Sequence, residues 1–334
     1  STLSIVRGTS EEEGHSELWE AVRLELIVRL ERGYKFVHDR LQEAAYSLIP
    51  ELSRAQAHLR IGNLLRAHTS SEKQEEALFD IVNQLNRGAV LICLLEERER
   101  LAELNLMAGK RAKACTAYES ALTYLRSGRG LLDETSWNRH YRLTFELELL
   151  WAECEILTGA LTFAENRLLA LAEHATNQID RAAATRACLS LYITLDRLDR
   201  AIEVGLEYLR HVGIEWSPRP GPADVSQELE RMWQLLGGRT IEQLLDLPLM
   251  SDPDCRATMD VLCEMLPPAG FFAPNLLELA LLRMVNLSLE HGNCDASCFA
   301  YCSMNAVLGF HLNDYQMGFR FGQLSHDLVE KHGL

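Results

Sequence analysis

The stretch Leu104–Leu125 reads LNLMAGKRAKACTAYESALTYL, and its small residues stand at a spacing that is typical of two packed helices. Gly109 and Ala121 are twelve residues apart, and the bulky residues Tyr118 and Leu125 stand near them. Small side chains let two helix backbones approach closely, while bulky neighbours fill the space on either side. The stretch therefore predicts a helical hairpin that closes on its small residues.

Two further stretches repeat this pattern along the chain. Ala152 and Ala164 are again twelve residues apart, and the steps from Ala121 to Ala164 and on to Ala201 are 43 and 37 residues. A tetratricopeptide unit consists of two antiparallel helices in about 34 residues, with small residues where they touch. We therefore predict an all-α fold, a tetratricopeptide-like α-α superhelix with degenerate repeats. The alternative is an irregular all-helical domain in which the Ala and Gly positions carry no repeat meaning.

Composition shifts divide the chain into four segments. Residues 1–50 contain a helix followed by two short apolar, β-branched and aromatic stretches around Gly33, which predicts the C-terminal part of a winged-helix module with a short β-hairpin. Residues 51–215 are predicted as a helical-repeat region. The proline-rich stretch 216–224 cannot continue a helix and is the best internal boundary. Residues 225–334 are predicted as a continuing, truncated helical-repeat region.

Within these segments, single residues set the predicted helix ends. We expect one helix over 97–108 and a second over 110–127, separated at Gly109. A later helix is expected over 254–265, before a pair of prolines. Gly318 is expected to hold the close-contact position of a last helical pair.

Charge and composition exclude several classes of protein. The net charge of −15 repels the phosphate backbone, so no nucleic-acid partner is expected. The longest purely apolar run, Ala89–Leu95, is far shorter than the ~20 residues of a membrane span, so no such span is expected. Nine cysteines at irregular spacing indicate buried thiols in a reducing, cytoplasmic compartment.

The motifs of catalysis and cofactor binding are missing from the sequence. It has no phosphate loop, dinucleotide fingerprint, zinc-protease helix or serine-hydrolase elbow, so we expect no catalytic residue and no cofactor of its own. Cys294, Cys298 and Cys302 follow His291 and are the best metal-like cluster. On one helix the outer two would lie ~12 Å apart along the axis, so packing is favoured and no metal site is expected. The charged run Glu96–Arg100 is interpreted as a solvated helix face.

The pair His38-Asp39 is the strongest candidate for a site. It stands where the predicted hairpin ends and the long helical region begins. His38 could project toward whatever packs against the hairpin, or it could cap or fill that corner. The residues alone leave both interpretations open.

Several stretches resemble a known family. They include Tyr34–Pro50 (YKFVHDRLQEAAYSLIP), Leu78–Gly88 (LFDIVNQLNRG), Asp246–Met250 (DLPLM) and Arg283–Asn293 (RMVNLSLEHGN), together with parts of 104–121 and 152–159. These are similar to the region after the ATPase core in bacterial multidomain sensor kinases. The resemblance implies the domain order of that family: a Ser/Thr-kinase-like module, a STAND/AAA-type ATPase, a tetratricopeptide-like superhelix, a GAF domain and a sensor histidine kinase.

The resemblance implies a role for the His-Asp pair. In STAND ATPases the His of such a pair lies near the phosphates of the bound nucleotide and holds the resting state. By this resemblance His38 is the phosphate sensor and Asp39 fixes its orientation, with ATP or ADP bound by the parent's ATPase core. The phosphate loop and the acidic Mg-binding motif of that core are absent from this chain.

These observations predict a non-catalytic regulatory arm of a cytoplasmic signal-transduction ATPase and sensor histidine kinase. Its concave face would bind a protein partner or small ligand, and its N-terminal segment would contact the adjoining ATPase module. The alternative is the sensor arm of a STAND-type ATP-dependent transcription regulator, in which a DNA-binding domain would follow the superhelix.

Overall fold

The computed structural model describes residues 11–30, 33–69 and 71–333. The first ten residues of the predicted winged-helix segment and residues 31 and 32 of the predicted hairpin lie outside these ranges. The chain divides into two compact units, one up to Cys154 and one from Glu155 onward. Each unit is described by itself below.

The described residues form sixteen α-helices and one antiparallel β-hairpin. In chain order they are α1 Glu11–Arg23, β1 Ile27–Leu30, β2 Gly33–Phe36, α2 Asp39–Ser47, α3 Glu51–His68, α4 Ser71–Gly88, α5 Leu95–Ala114, α6 Tyr118–Gly130, α7 Ser136–Arg139, α8 Tyr141–Leu157, α9 Leu161–His174, α10 Gln178–Thr194, α11 Leu198–His211, α12 Pro222–Leu236, α13 Pro253–Phe272, α14 Pro274–His291, α15 Asp295–Leu312 and α16 Tyr315–His332. Short 3₁₀ helices lie at Ala89–Leu91 and Glu242–Asp246.

One turn geometry recurs in the three predicted repeats. The turns after α5, α8 and α10 each contain three residues, and the middle one is left-handed: Thr116 at φ 59°, Gly159 at φ 81° and Asp196 at φ 56°. In each turn the next residue donates its backbone N–H to a carbonyl five residues back, at 2.8 to 2.9 Å. This is the Schellman motif, which satisfies the last carbonyls of the first helix and starts the second at a fixed place.

The small residues of the sequence pattern lie at equivalent places behind these turns. Ala121, Ala164 and Ala201 each donate a backbone N–H to the last residue of the preceding turn, and each is fully buried. Gly318 also lies at a close contact, because a Cβ there would lie 2.8 Å from the Cα of Asn305. The predicted all-α helical-repeat fold is confirmed.

The predicted helix break at Gly109 is wrong. Helix α5 runs through Gly109, and the turn falls at residues 115–117. A Cβ at Gly109 would lie 2.8 Å from Cδ2 of Leu125, so this glycine permits close helix packing and does not form a turn. The predicted helix end at residue 265 is also wrong, since α13 continues through Pro267 and Pro268 to Phe272.

The division between units does not fall at the proline-rich stretch. It falls inside α8, and residues 216–224 lie within the second unit. There the side chain of Asn275 donates to the Pro220 carbonyl at 3.0 Å, while α11 packs on α13 and α12 on α14. The prolines interrupt the helices without separating their cores.

Each unit has its own apolar core. In the first, α4, α5, α6 and α8 bury side chains such as Val82, Leu125 and Leu147 completely. In the second, the largest buried side chains include Tyr208, Tyr301 and Phe321. None of the helices in the described ranges combines the length and apolar character needed to cross a membrane.

Candidate functional site

The β1–β2 hairpin has one covered face. Successive strand residues point to opposite faces, and Ile27 pairs with Phe36 while Arg29 pairs with Tyr34, so these four side chains share one face. His15 of α1 lies against this face, with its Nδ1 2.8 Å from the Tyr34 hydroxyl. Helix α1 therefore covers this side of the hairpin.

The opposite side of the hairpin is mostly apolar and open. Leu26, Val28, Leu30 and Val37 on this side are 39% to 53% exposed, and we call these four side chains the outer hairpin face. The exposed Lys35, which pairs with Val28, lies on the same side. The Val37 N–H donates to the Leu26 carbonyl at 3.1 Å, which extends the pairing by one residue on each strand. A contiguous exposed apolar patch marks an interaction surface more often than isolated apolar residues do. The outer hairpin face is thus a candidate docking surface.

The pair His38 and Asp39 adjoins this face directly after Val37. His38 is the N-cap of α2, with extended backbone at φ −137° and ψ 138°, and its carbonyl accepts from the Leu41 N–H at 3.0 Å. Within the described residues its side chain makes no capping hydrogen bond, and both His38 and Asp39 are exposed. Their side chains are therefore accessible to a partner that covers the outer hairpin face.

A buried histidine that the sequence did not single out holds this segment to the helices behind it. His58 of α3 is buried, with its Nε2 2.8 Å from the Tyr46 hydroxyl and its Nδ1 2.6 Å from Oε1 of Gln84. The three residues come from α2, α3 and α4, so this polar chain links the hairpin segment to the first helical pair. The sequence alone gives little indication of this role, because no sequence motif marks a core histidine that is hydrogen-bonded to neutral side chains.

A polar cleft in the first unit is the second candidate. Its volume is about 460 Å³. It is lined by Glu103, Leu106, Lys110, Arg139, His140, Tyr141, Arg142, Leu143 and Glu146. Side chains of both charges line it, so the cleft suits a ligand or peptide segment that also carries both charges.

Ion pairs fix the charged side chains of this cleft. Glu146 pairs with Lys110 and with Arg142, whose Nε lies 2.9 Å away. Burial raises the pKa of Glu146, but the hydrogen bonds from Lys110 and Arg142 outweigh it, and the net pKa is lowered. Glu99 is buried and pairs with Arg139 and with His140 Nε2 at 3.0 Å. The solvated-face interpretation of residues 96–100 is therefore wrong for Glu99.

The three cysteines of the metal-like cluster lie in different environments. Cys294 is the N-cap of α15, Cys298 is buried, and Cys302 is exposed. The hydroxyl of Ser325 on α16 donates to the Cys298 carbonyl at 2.7 Å, so Cys298 lies at the α15–α16 contact, as the packing interpretation expects. His291 instead approaches two residues at the start of α13, as described below.

The chain is similar to one named signalling protein. It is 25% identical over 341 aligned residues to "Hybrid signal transduction histidine kinase G" of Dictyostelium discoideum. The match covers 90% of this chain and 10% of that protein, so the chain spans about a tenth of its relative's length. The similarity supports a sensor-kinase context. No protein-family profile matches the chain, and no solved structure is significantly similar to it.

Proposed function

We propose that this chain is a regulatory helical-repeat arm within a cytoplasmic signal-transduction protein that carries a sensor histidine kinase. The arm binds a protein partner or small ligand and transmits that event to the ATPase and kinase modules. Catalysis belongs to those other modules of the parent polypeptide. The description of the Dictyostelium discoideum relative supports the kinase context, since it matches 90% of the chain. That similarity also favours the histidine-kinase parent over the STAND-type transcription regulator.

The outer hairpin face is the observation that carries the proposal. It is a mostly apolar surface on a short hairpin, in a segment for which the sequence resemblance implies an adjoining STAND-type ATPase module. Burying apolar surface is worth about 25 cal/mol per Å², so four partly exposed aliphatic side chains offer a useful docking contact. In the docked state His38 and Asp39 would face the nucleotide of that module, ATP or ADP, and His38 would sense its phosphates.

The polar cleft is the proposed site at which a ligand or partner segment binds to regulate the hairpin contact. A ligand or partner segment bound between α5 and α8 would replace some of the ion pairs made by Lys110, Arg142 and Glu146. Helical repeats contact mainly their neighbours, so a small rotation at one pair changes the orientation of the next. Binding at the cleft would in this way bias the contact made by the hairpin.

Binding between the arm and the adjoining ATPase module tests this proposal. Calorimetry of the separated arm and module should give a dissociation constant that rises at least about tenfold in the double variant Val28→Asp, Leu30→Asp, because docking would bury the new carboxylates without partners. Phe163→Asp, which also places a carboxylate at an exposed apolar side chain, is the control. Absence of binding, or equal weakening by Phe163→Asp, would overturn the docking role.

The nucleotide role of His38 needs its own variant. His38→Ala in the full parent should change the rate of ADP release, because a phosphate-sensing side chain is lost. His68→Ala is the control, since His68 is also exposed and its Nδ1 lies 2.9 Å from the Leu64 carbonyl of its own helix. Identical release rates in the wild type and His38→Ala would contradict the sensing role and leave the docking role to the hairpin variants.

A further inference from the structure

Three side chains with metal-ligand chemistry meet at one end of the α13–α14 helical hairpin. Asp252, Cys255 and His291 each offer one ligand atom, and these oxygen, sulfur and nitrogen atoms all lie within 4.8 Å of one another. Asp252 and His291 are exposed, and Cys255 is half-buried. We propose that these three residues form a zinc-binding site that fastens the start of α13 to the end of α14.

Helix capping brings the first two ligands together. Asp252 is the N-cap of α13 and Cys255 is its third helical residue, two positions whose side chains converge above the first turn. Oδ1 of Asp252 accepts the backbone N–H groups of Asp254 at 2.9 Å and of Cys255 at 3.4 Å. Since both bonds go to Oδ1, a cation at Oδ2 would leave the helix cap intact.

The length of the two helices brings the third ligand to the same end. Helices α13 and α14 are consecutive, pack against each other and contain 20 and 18 residues. At 1.5 Å per residue they are roughly 30 and 27 Å long, so the start of α13 lies level with the end of α14. His291 is the last residue of α14 and therefore stands beside Asp252.

A backbone link fixes this end of the hairpin. The Met250 N–H donates to the Asn293 carbonyl, and the Asn293 N–H donates to the Pro248 carbonyl, both at 2.8 Å. The buried Asn293 side chain also donates to the Leu244 carbonyl at 2.8 Å and accepts from the Tyr301 hydroxyl at 2.9 Å. The segments that carry Asp252 and His291 are thus held in register by groups that do not belong to the site.

The donor set and its spacing suit zinc. Zinc binds carboxylate oxygen, imidazole nitrogen and thiolate sulfur at about 2.0 to 2.3 Å, so neighbouring ligand atoms of a tetrahedral site stand about 3.2 to 3.6 Å apart. Small side-chain rotations close the remaining distance. A thiolate and an imidazole disfavour Ca²⁺ and Mg²⁺, which take oxygen ligands. Three protein ligands leave the fourth position to water or to a group from a partner.

The charge around Cys255 also favours a dication. Asp252, Asp254 and Glu290 add negative charge around the Cys255 sulfur. Zinc binding would form a sulfur–zinc bond, break the S–H bond and release its proton to water, with no change in oxidation state. The thiolate and the Asp252 carboxylate would then neutralise the two positive charges of the ion.

Cobalt(II) reports on such a site by its optical spectrum. Titration of the full chain with CoCl₂ should give one bound ion per chain and a thiolate-to-cobalt charge-transfer band in the near ultraviolet, both removed by added ZnCl₂. Cys255→Ser should abolish the band. Asp252→Asn, which keeps a capping side chain, and His291→Asn should each weaken binding at least about tenfold. Cys263→Ser changes another half-buried thiol of α13 and should leave the band and the affinity unchanged.

Two results would overturn the zinc site. One is a wild-type chain that binds cobalt without a charge-transfer band, or that binds none. The other is a band that persists in Cys255→Ser, which would assign the thiolate to a different cysteine. Far-ultraviolet circular dichroism of each variant separates loss of the metal from loss of the fold, and Asp252→Asn keeps the outcome decisive if Cys255→Ser unfolds.

Discussion

Gly292 ends α14 with a backbone that only glycine adopts readily, at φ 98° and ψ 177°. A Cβ at this position would lie 2.2 Å from the carbonyl oxygen of Pro248, so the position is closed by sterics as well as by backbone strain. The next residue, Asn293, makes the backbone link that holds the start of α13 in place. At the scale of the residue, one glycine therefore decides whether the α13–α14 hairpin closes.

Substitution of this glycine should be costly. Gly292→Ala is expected to lower the free energy of unfolding of the second unit by about 2 kcal/mol or more, because it adds both a clash and a forbidden backbone region. Gly322→Ala is the matched control, since Gly322 lies inside α16 with open space at its Cβ position. It should be neutral or stabilising by up to about 1 kcal/mol. Urea unfolding measures both, and equal stability of the two variants would contradict the packing described at Gly292.

At the scale of the element, three helical pairs use the same turn with different residues in the left-handed position. The first pair has Thr116 there, the second Gly159 and the third Asp196. For a β-branched residue this conformation carries a steric penalty of about 1 to 2 kcal/mol, which is absent for glycine. The turns are thus equivalent in hydrogen bonding but differ in strain.

This difference predicts opposite effects for two substitutions. Thr116→Gly should raise the free energy of unfolding by about 0.5 kcal/mol, because relief of strain exceeds the added chain entropy of glycine in the unfolded state. Gly159→Ala should lower it by about 1 kcal/mol. Thermal or urea unfolding monitored by circular dichroism compares them. A destabilised Thr116→Gly would show that the hydroxyl or methyl group of Thr116 holds the turn.

An exposed ion pair predicts a pH dependence between elements. Arg320 of α16 donates from Nε and Nη2 to the two carboxylate oxygens of Glu242, both at 2.7 Å, and these bonds are the main cause that lowers the pKa of Glu242 to about 2. Because the folded pKa lies below the ordinary value of about 4.3, the stabilisation is fully present above pH 5 and is lost as the pH falls toward 2. The thermal midpoints of wild type and Arg320→Gln should therefore differ near pH 6 and converge on acidification. A difference that stays constant over this range would assign the effect to packing.

The spacing of small residues was enough to predict the helical pairs but not all of their ends. Gly109 looked like a turn because glycine disfavours helices, yet here its missing side chain accommodates Leu125. The true turn has Thr116 at its centre, a residue type with no turn signal. Packing between helices outweighs local propensity at both positions.

The candidate sites also differ in whether the sequence could predict them. His38, Asp39 and the apolar strands are neighbours in sequence, so their place beside one another could be predicted. The cleft could not, because pairs such as Lys110 with Glu146 join residues from separate helices. The proposed zinc ligands Cys255 and His291 are also far apart in sequence, and their meeting depends on the lengths of α13 and α14.

At the scale of the whole molecule, a net charge of −15 and two compact units with separate cores suit a chain that binds other modules. The outer hairpin face and the polar cleft both belong to the first unit, whereas the proposed zinc site belongs to the second. A ligand at the cleft and a metal ion at the α13–α14 hairpin would therefore bind to different units. The polypeptide on its own should hydrolyse no ATP, and a phosphate-release assay of the purified chain checks this; turnover that persists through purification would contradict a purely regulatory role.

The most direct measurement is the ATP hydrolysis rate of the full parent polypeptide with and without the outer hairpin face. Allosteric coupling energies of about 1 to 3 kcal/mol correspond to rate or affinity changes of about 5- to 150-fold. We predict that Val28→Asp together with Leu30→Asp changes the rate at least about fivefold, while Phe163→Asp leaves it unchanged. Equal rates in the wild type and the hairpin variant would contradict the regulatory role of this arm.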